Sequence, residues 1–257
     1  MPKYTLITGA SDGIGAELAR LAAKDKHALI LTARSESRLN ALAAELRPMA
    51  GEVIVIPADL SHLNEVDRLW AAATEGREVD ILINNAGLGS HDAFDQPTWD
   101  RELASINVNL VALTRLMKLA VPHLQKEGSG RILNVASTAA FMPGPNMAVY
   151  HATKAYVLSL SDAVAEELRG SGVTITALCP GATQTGFFDA ADMNDVRLLK
   201  FAKPASAQDV ALLGWRQTLA GKRVVIPGAT NKLFAFLTRV MPRVFVTRIA
   251  IKIMGKN

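Results

Sequence analysis

TGASDGIG, residues 8–15, follows the apolar run YTLIT (4–8) and opens GAELARLAAK, an alanine- and leucine-rich stretch of helical character. Strand, glycine-rich turn and helix in that order begin a β-α-β unit. Glycines 9, 13 and 15 permit positive φ and let a backbone come close to a ligand. The helix start then offers free N–H groups and the positive end of the helix dipole, which suits a pyrophosphate. Without a ligand, the same residues make only a tight strand-to-helix turn. Their spacing is G-x-x-x-G-x-G, which departs from the dinucleotide fingerprint G-x-G-x-x-G.

Outward from this turn, apolar β-rich runs alternate with helical patterns. The strand candidates are YTLIT (4–8), HALILT (27–32), EVIVIP (52–57), VDILIN (79–84), RILNVA (131–136), GVTITALC (172–179) and KRVVIP (222–227). Several are nearly continuous Val, Ile and Leu, as expected when both faces of a sheet are covered. The pattern predicts one doubly wound, Rossmann-type α/β domain over residues 1–228. Its central sheet has seven strands, mostly parallel, with helices on both faces. Right-handed crossovers place the strand C-terminal ends on one rim, where ligands bind. Residues 229–257 form a basic amphipathic tail.

The chain has 257 residues, 49% of them hydrophobic, enough for one large core. Its single cysteine, Cys179, excludes an internal disulfide and fits a reducing, cytoplasmic setting. The N-terminus reads as a strand rather than a signal peptide, and no uninterrupted apolar run reaches membrane-spanning length. The five histidines are scattered and, with one cysteine, give no metal-ligand spacing; no metal is expected. His151 reads as structural or exposed. The net charge is +4, yet no Asp or Glu follows Asp209, whereas nine Lys and Arg do, leaving about −5 before that point. Basicity confined to the tail does not indicate nucleic-acid binding.

After the second strand comes TARSESR. Arg34 stands where the fingerprint expects an acid for the ribose 2′-hydroxyl, with Arg38 a turn further on. A guanidinium binds a 2′-phosphate bidentately where a carboxylate repels it. This favours NADP(H) over NAD(H). Glu36 is a mild counter-signal, and both arginines have a plain reading as solvated surface residues.

YHATK (150–154) places a phenol and an ammonium four residues apart, one helical turn. Such a pair alone is ordinarily a surface contact. Here further motifs surround it: ADL (58–60), NNAG (84–87), Asn107 in a long helical stretch after Trp99, Ser137 thirteen residues before Tyr150, and PGATQT (180–185). With these in order, residues 3 to 228 resemble the short-chain dehydrogenase/reductase family.

The resemblance implies an oxidoreductase with Ser137, Tyr150 and Lys154 as catalytic trio and Asn107 as fourth member. It implies a cofactor site made of Gly9, Ser11, Asp12, Gly13, Ile14 and Gly15 at the pyrophosphate. Asp59 and Leu60 would lie at the adenine, Asn85, Ala86 and Gly87 along the nicotinamide ribose, and Pro180, Gly181, Thr183 and Thr185 at the carboxamide. Lys154 would grip the ribose and Asn107 would hold a water linking Lys154 to solvent. It also implies a homodimer or homotetramer built through the helices carrying Asn107 and Tyr150. The chemistry stands on its own terms. Reducing a ketone needs a proton on oxygen, and a phenol of pKa about 10 is poorly matched to neutral pH. Lys154 and an oxidised nicotinamide are expected to lower it, while Ser137 stabilises charge on the substrate oxygen.

FMPGPNM (141–147) and GFFDAADM (186–193) border the substrate in this reading. Phe141, Met142, Met147, Phe187 and Phe188 suggest a lipophilic small-molecule ketone, aldehyde or secondary alcohol. The same side chains also read as packing beneath a lid. A 3-oxoacyl-thioester reductase is the nearest rival. Outside enzymes, the rivals are a cofactor-binding regulator that turns nothing over and a membrane-associated scaffold. The tail has Leu233, Phe236, Leu237 and Val240, then Val244, Phe245, Ile249 and Ile253, at helical spacing, with Arg239, Arg243, Arg248, Lys252 and Lys256 alongside. Pro242 divides it into two helices. Packing on its own domain, on a partner subunit or on an anionic membrane surface all fit.

Overall fold

A computed structural model describes residues 2–96, 99–193, 195–197 and 204–255. Seven strands make one sheet: β1 (Lys3–Thr8), β2 (Ala28–Thr32), β3 (Val53–Val55), β4 (Glu78–Asn84), β5 (Gly130–Val135), β6 (Val173–Leu178) and, ninth in chain order, β9 (Val224–Val225). Their order is β3-β2-β1-β4-β5-β6-β9 and every pairing is parallel. Each coincides with a run expected from the sequence. The remaining strands, β7 (Thr183–Gln184) and β8 (Ala205–Ser206), are two residues each and pair only with one another, too short for any periodicity to announce.

Side chains alternate across the sheet and make two cores. Leu6 and Leu82 face one way, into helices α3 (Leu63–Thr74), α5 (Leu113–Lys126) and α6 (Ala148–Glu167). Ile7, Ile81 and Ile83 face the other, into α1 (Gly13–Lys24), α2 (Glu36–Leu46) and α8 (Ala207–Leu219). β2 is buried along its whole length, which explains its unbroken apolar sequence. Each fully buried Leu or Ile here contributes about 1.5–3 kcal/mol.

A helical run from Trp99 to Lys126 has the length and apolar content of a membrane-crossing segment, with mean hydropathy 1.3 in its most apolar window. In the fold it is a core helix. Leu113, Leu116, Met117, Ala120 and Leu124 are buried against the sheet. It comprises α4 (Trp99–Ile106), a π-helical segment (Asn107–Ala112) and α5. Such a π segment shifts the faces of the flanking turns and often marks a functional position.

The strand order reverses direction between β1 and β4, which opens a crevice at their C-terminal ends. Thr8 closes its floor: its Oγ1 accepts from the N–H groups of Asn85 and Ala86, both at 3.0 Å. The Asn85 amide in turn donates to the carbonyls of Thr8 (2.9 Å) and Gly9 (3.0 Å). The tail folds as α9 (Ala229–Val240) and α10 (Arg243–Met254), with Pro242 at the break. One side of each packs on the domain. Lys256 lies outside the described residues.

Candidate active site

A cleft of about 790 Å³ runs along this crevice and gathers motifs scattered through the sequence. At one end are Gly9, Ser11, Asp12, Gly13, Ile14, Arg34, Arg38, Asp59 and Leu60. In the middle are Asn85, Ala86, Gly87, Pro180, Gly181, Thr183 and Thr185. At the other are Ser137, Tyr150, Lys154, Met142, Met147, Phe187 and Phe188.

The turn after β1 places Asp12 as the N-cap of α1, its carboxylate accepting from Gly13 N at 2.6 Å. The other carboxylate oxygen lies 4.0 Å from Arg38. Gly9 has φ of +63°, where a side chain is strained. Gly15 differs from the sequence expectation. It is not among the cleft-lining residues, and a Cβ there would lie 2.3 Å from the Gly9 carbonyl and 2.4 Å from the Asn85 amide. Its lack of a side chain lets the turn fold onto β4; the close approach is to protein.

Asp59 accepts from the N–H and hydroxyl of Ser61 at 3.0 and 2.8 Å. Burial pushes its carboxyl up, but these bonds and the charges of Arg34 and His62 hold it below its ordinary value. An ionised Asp59 is therefore a hydrogen-bond acceptor at the cleft's far end, beside the exposed Arg34. A nicotinamide dinucleotide fits this donor set: a helix N-terminus for a pyrophosphate, a carboxylate for an amino group, and a cation at the rim.

Ser137 lies two residues beyond β5 and caps a 3₁₀ turn (Thr138–Phe141), its Oγ accepting from Ala139 N at 3.1 Å. Tyr150 and Lys154 lie on α6, with Lys154 Nζ 5.7 Å from the centre of the Tyr150 ring. Lys154 is 5% exposed and donates to the Val135 carbonyl at 2.8 Å. Burial raises the Tyr150 phenol to about 12, against a hydrogen bond with Ser137 that lowers it. Burial lowers the Lys154 ammonium to about 8. Among the protein's own groups, then, desolvation outweighs the lowering of the phenol expected from the sequence.

Asn107 is a correction. Its amide donates to the Ser61 carbonyl at 3.1 Å, and it does not line the cleft. Two positions apart in this π-helical segment, Asn107 and Asn109 face opposite ways. Asn109 lies behind the cleft lining and is the one bonded to the site's backbone. It is 1% exposed, accepts from Leu88 N at 2.9 Å and donates to Leu88 O at 2.8 Å and Thr153 Oγ1 at 3.0 Å. A Cβ on Gly87 would lie 3.3 Å from Lys154 Nζ and 3.5 Å from Asn109 Oδ1. The asparagine pair in NVNL was the available signal; only the helix phase chooses between them.

Phe141 is also corrected: it packs on the core cluster beneath α6, not in the cleft. Its neighbour Met142 is held by His151, whose Nδ1 lies 2.9 Å from the Met142 carbonyl. His151 is buried and structural. The Phe187 ring sits 5.2 Å from that of Tyr150, and a Cβ on Gly89 would meet both. Ala190 and Met193 continue the apolar wall.

The tail supplies residues that the sequence reading missed. Asn231 and Phe234 of α9 and Ile253 and Met254 of α10 line the cleft. The Asn231 amide packs on Gly181 and donates to Pro227 O at 2.7 Å. His91 Nε2 lies 2.6 Å from the Met254 carbonyl and anchors the end of α10. These contacts pair residues far apart in sequence, which no periodicity records.

A family model described as short chain dehydrogenase matches residues 3–195. The chain is 31% identical over 241 residues to the "Ketoacyl reductase HetN" of Nostoc sp., covering 93% of this chain and 83% of that protein. A short-chain dehydrogenase from Sphingobium yanoikuyae, solved with NADPH, superposes with TM-score 0.82 at 32% identity, covering 95% and 97% of the two chains. A short chain dehydrogenase/reductase from Burkholderia phymatum, solved with NAD, gives TM-score 0.83 at 26% identity, covering 92% of each. The family model over most of the chain, together with these likenesses, shows that the chain belongs to the short-chain dehydrogenase/reductase family of nicotinamide-dependent oxidoreductases.

Proposed function

We propose that the protein reduces a lipophilic ketone or aldehyde with NADPH, or oxidises the corresponding secondary alcohol with NADP⁺. The observation that carries this reading is the meeting of Tyr150, Ser137 and Lys154 at the end of the cleft walled by Phe187, Phe188, Met142, Met147 and Met193. A bound nicotinamide supplies or takes the hydride. Tyr150 gives the substrate oxygen its proton, or removes it in the reverse direction. Ser137 donates to that oxygen as it gains negative charge. Lys154, buried beneath, holds the ribose end and favours the phenolate when charged. Asn109 fixes the Leu88 turn against α6, and so fixes the wall opposite Tyr150.

Arg34, exposed among the residues that line the cleft, supports NADPH, since a guanidinium can bind a 2′-phosphate bidentately. We further propose a cytoplasmic homo-oligomer joined through α5 and α6; the tail's outer face is then free to touch a membrane. A second reading, 3-oxoacyl-thioester reduction, draws on the likeness to a ketoacyl reductase.

Loss of reduced-nicotinamide absorbance with NADPH and NADH, across aliphatic, aromatic and steroid-like ketones and 3-oxoacyl thioesters, tests both readings. Turnover with hydrophobic ketones and NADPH that vanishes in Tyr150→Phe is expected. Preference for thioesters selects the second reading, and preference for NADH overturns the role of Arg34.

A further inference from the structure

The apolar positions that stand out in the tail are not the ones that pack. Asn231, Phe234, Ala235 and Thr238 face the domain from α9, and Val246, Ala250, Ile253 and Met254 from α10. The outer face of α9 carries Leu233, Phe236, Leu237 and Val240, which are 58%, 60%, 40% and 63% exposed. They recur at i, i+3, i+4 and i+7, a second apolar stripe on an already packed helix. On α10, Val244, Phe245, Ile249 and Ile251 are likewise exposed. Beside them, Lys232, Arg239, Arg243, Arg248 and Lys252 all reach solvent.

We infer that this outer face of α9 and α10 is a docking surface for an anionic lipid bilayer. Monomeric proteins rarely leave so continuous an apolar face in water. Apolar side chains that enter the acyl boundary, flanked by cations at headgroup level, are the pattern of an interfacial helix. Charge argues against a second copy of the chain as the occupant. No carboxylate follows Asp209, so two such faces would meet with like charges only. An acidic acyl carrier would satisfy the arginines and lysines but would leave the two exposed phenylalanines and the aliphatic stripe less well accounted for.

The inner sides of the same helices roof the cleft through Phe234, Ile253 and Met254. Docking therefore sets the roof of the substrate end at the membrane interface, where lipophilic ketones concentrate. This part of the inference rests on the proposed lipophilic substrate; the docking itself does not.

The test is flotation of the full chain with vesicles of phosphatidylcholine, with and without phosphatidylglycerol at about 30% to give a negative surface potential. The expected result is flotation with the anionic vesicles only, reversed by raising salt from about 0.1 to 1 M, which shortens the Debye length. Phe236→Ser with Phe245→Ser, and separately Arg239→Gln with Arg248→Gln, should each weaken flotation at least tenfold, since each surface charge alone carries roughly fivefold in affinity. Turnover of a water-soluble ketone should stay within about twofold of wild type in both variants, as none of the four residues lines the cleft. Absence of flotation by the wild type overturns the inference. So does a change in oligomeric state in the phenylalanine variant, which would make the face a subunit contact, or retention of the wild type by an acidic acyl carrier protein in place of vesicles. Flotation without turnover of any ketone would sink the proposed reaction and leave the docking surface standing.

Discussion

Asn109 clamps Leu88 from both sides, accepting its N–H at 2.9 Å and donating to its carbonyl at 2.8 Å. The same amide reaches Thr153, whose hydroxyl bonds the Tyr150 carbonyl at 2.7 Å. One buried side chain thus ties the turn after β4 to the helix that carries Tyr150. Asn109→Ala should leave buried backbone groups unpaired and cost about 1–3 kcal/mol of stability. It should lower kcat by about 10–100-fold, with KM moving less. Asn107→Ala, which loses only one bond to Ser61, should stay within about threefold. Steady-state kinetics on the pair decides; equal effects would return the role to Asn107.

Lys154 gives a stability prediction whose sign follows from burial. Its folded pKa is about 8, lowered from the model-compound value of 10.5. Between those values the unfolded chain binds more protons than the folded one, so stability rises with pH. The contribution is smallest below about pH 8 and complete above about pH 10.5. Lys154→Met should therefore raise cofactor-free stability at about pH 7 by up to 2–3 kcal/mol, after loss of the bond to Val135. The difference between the two proteins should shrink as pH approaches about 10. Urea unfolding across that range measures it, and a difference that does not vary with pH would refute the assignment. Activity should be lost in the variant at every pH.

Arg34 is exposed at the cleft rim, so its removal should leave the fold intact. Arg34→Ala should raise KM for NADPH about 10–100-fold and leave KM for NADH within about threefold. Equal effects on the two cofactors would mean that no 2′-phosphate is read there.

Gly15 separates packing from ligand contact. A Cβ at this position would sit 2.3 Å from a backbone carbonyl, which cannot rotate away. Gly15→Ala should lower the melting temperature by several degrees, on the order of 2 kcal/mol or more, in the cofactor-free protein. If Gly15 instead served only close approach to a pyrophosphate, the cofactor-free melting point would not move and only NADPH affinity would fall.

The seven sheet strands were legible because both sheet faces are covered, so most strands are largely apolar or β-branched and bounded by polar turns. That the glycine turn, Ser137, Tyr150, Lys154 and Arg34 line one cleft was legible because each has a fixed local spacing attached to one strand end or one helix face. Phe141 and Asn107 were misplaced for one reason: rotation of the backbone over one or two residues decides which way a side chain points. Sequence proximity to Ser137 or Tyr150 does not specify it. In the tail, hydropathy marked the stripe of Leu233, Phe236, Leu237 and Val240, while the packed stripe of Asn231, Phe234, Ala235 and Thr238 carried a weaker apolar signal.

The sequence by itself determined the doubly wound sheet and the position of the glycine turn, and it singled out Ser137, Tyr150 and Lys154, which meet in one cleft, because these follow from local periodicity and short motifs. Tertiary structure alone decided that Asn109 supports the site and that Gly15 packs against protein. It alone set the phenol's rise to about 12 through burial, and it alone placed Phe234 and Met254 as the roof of the cleft. Those outcomes depend on contacts across long chain separations and on desolvation, which a linear pattern does not encode.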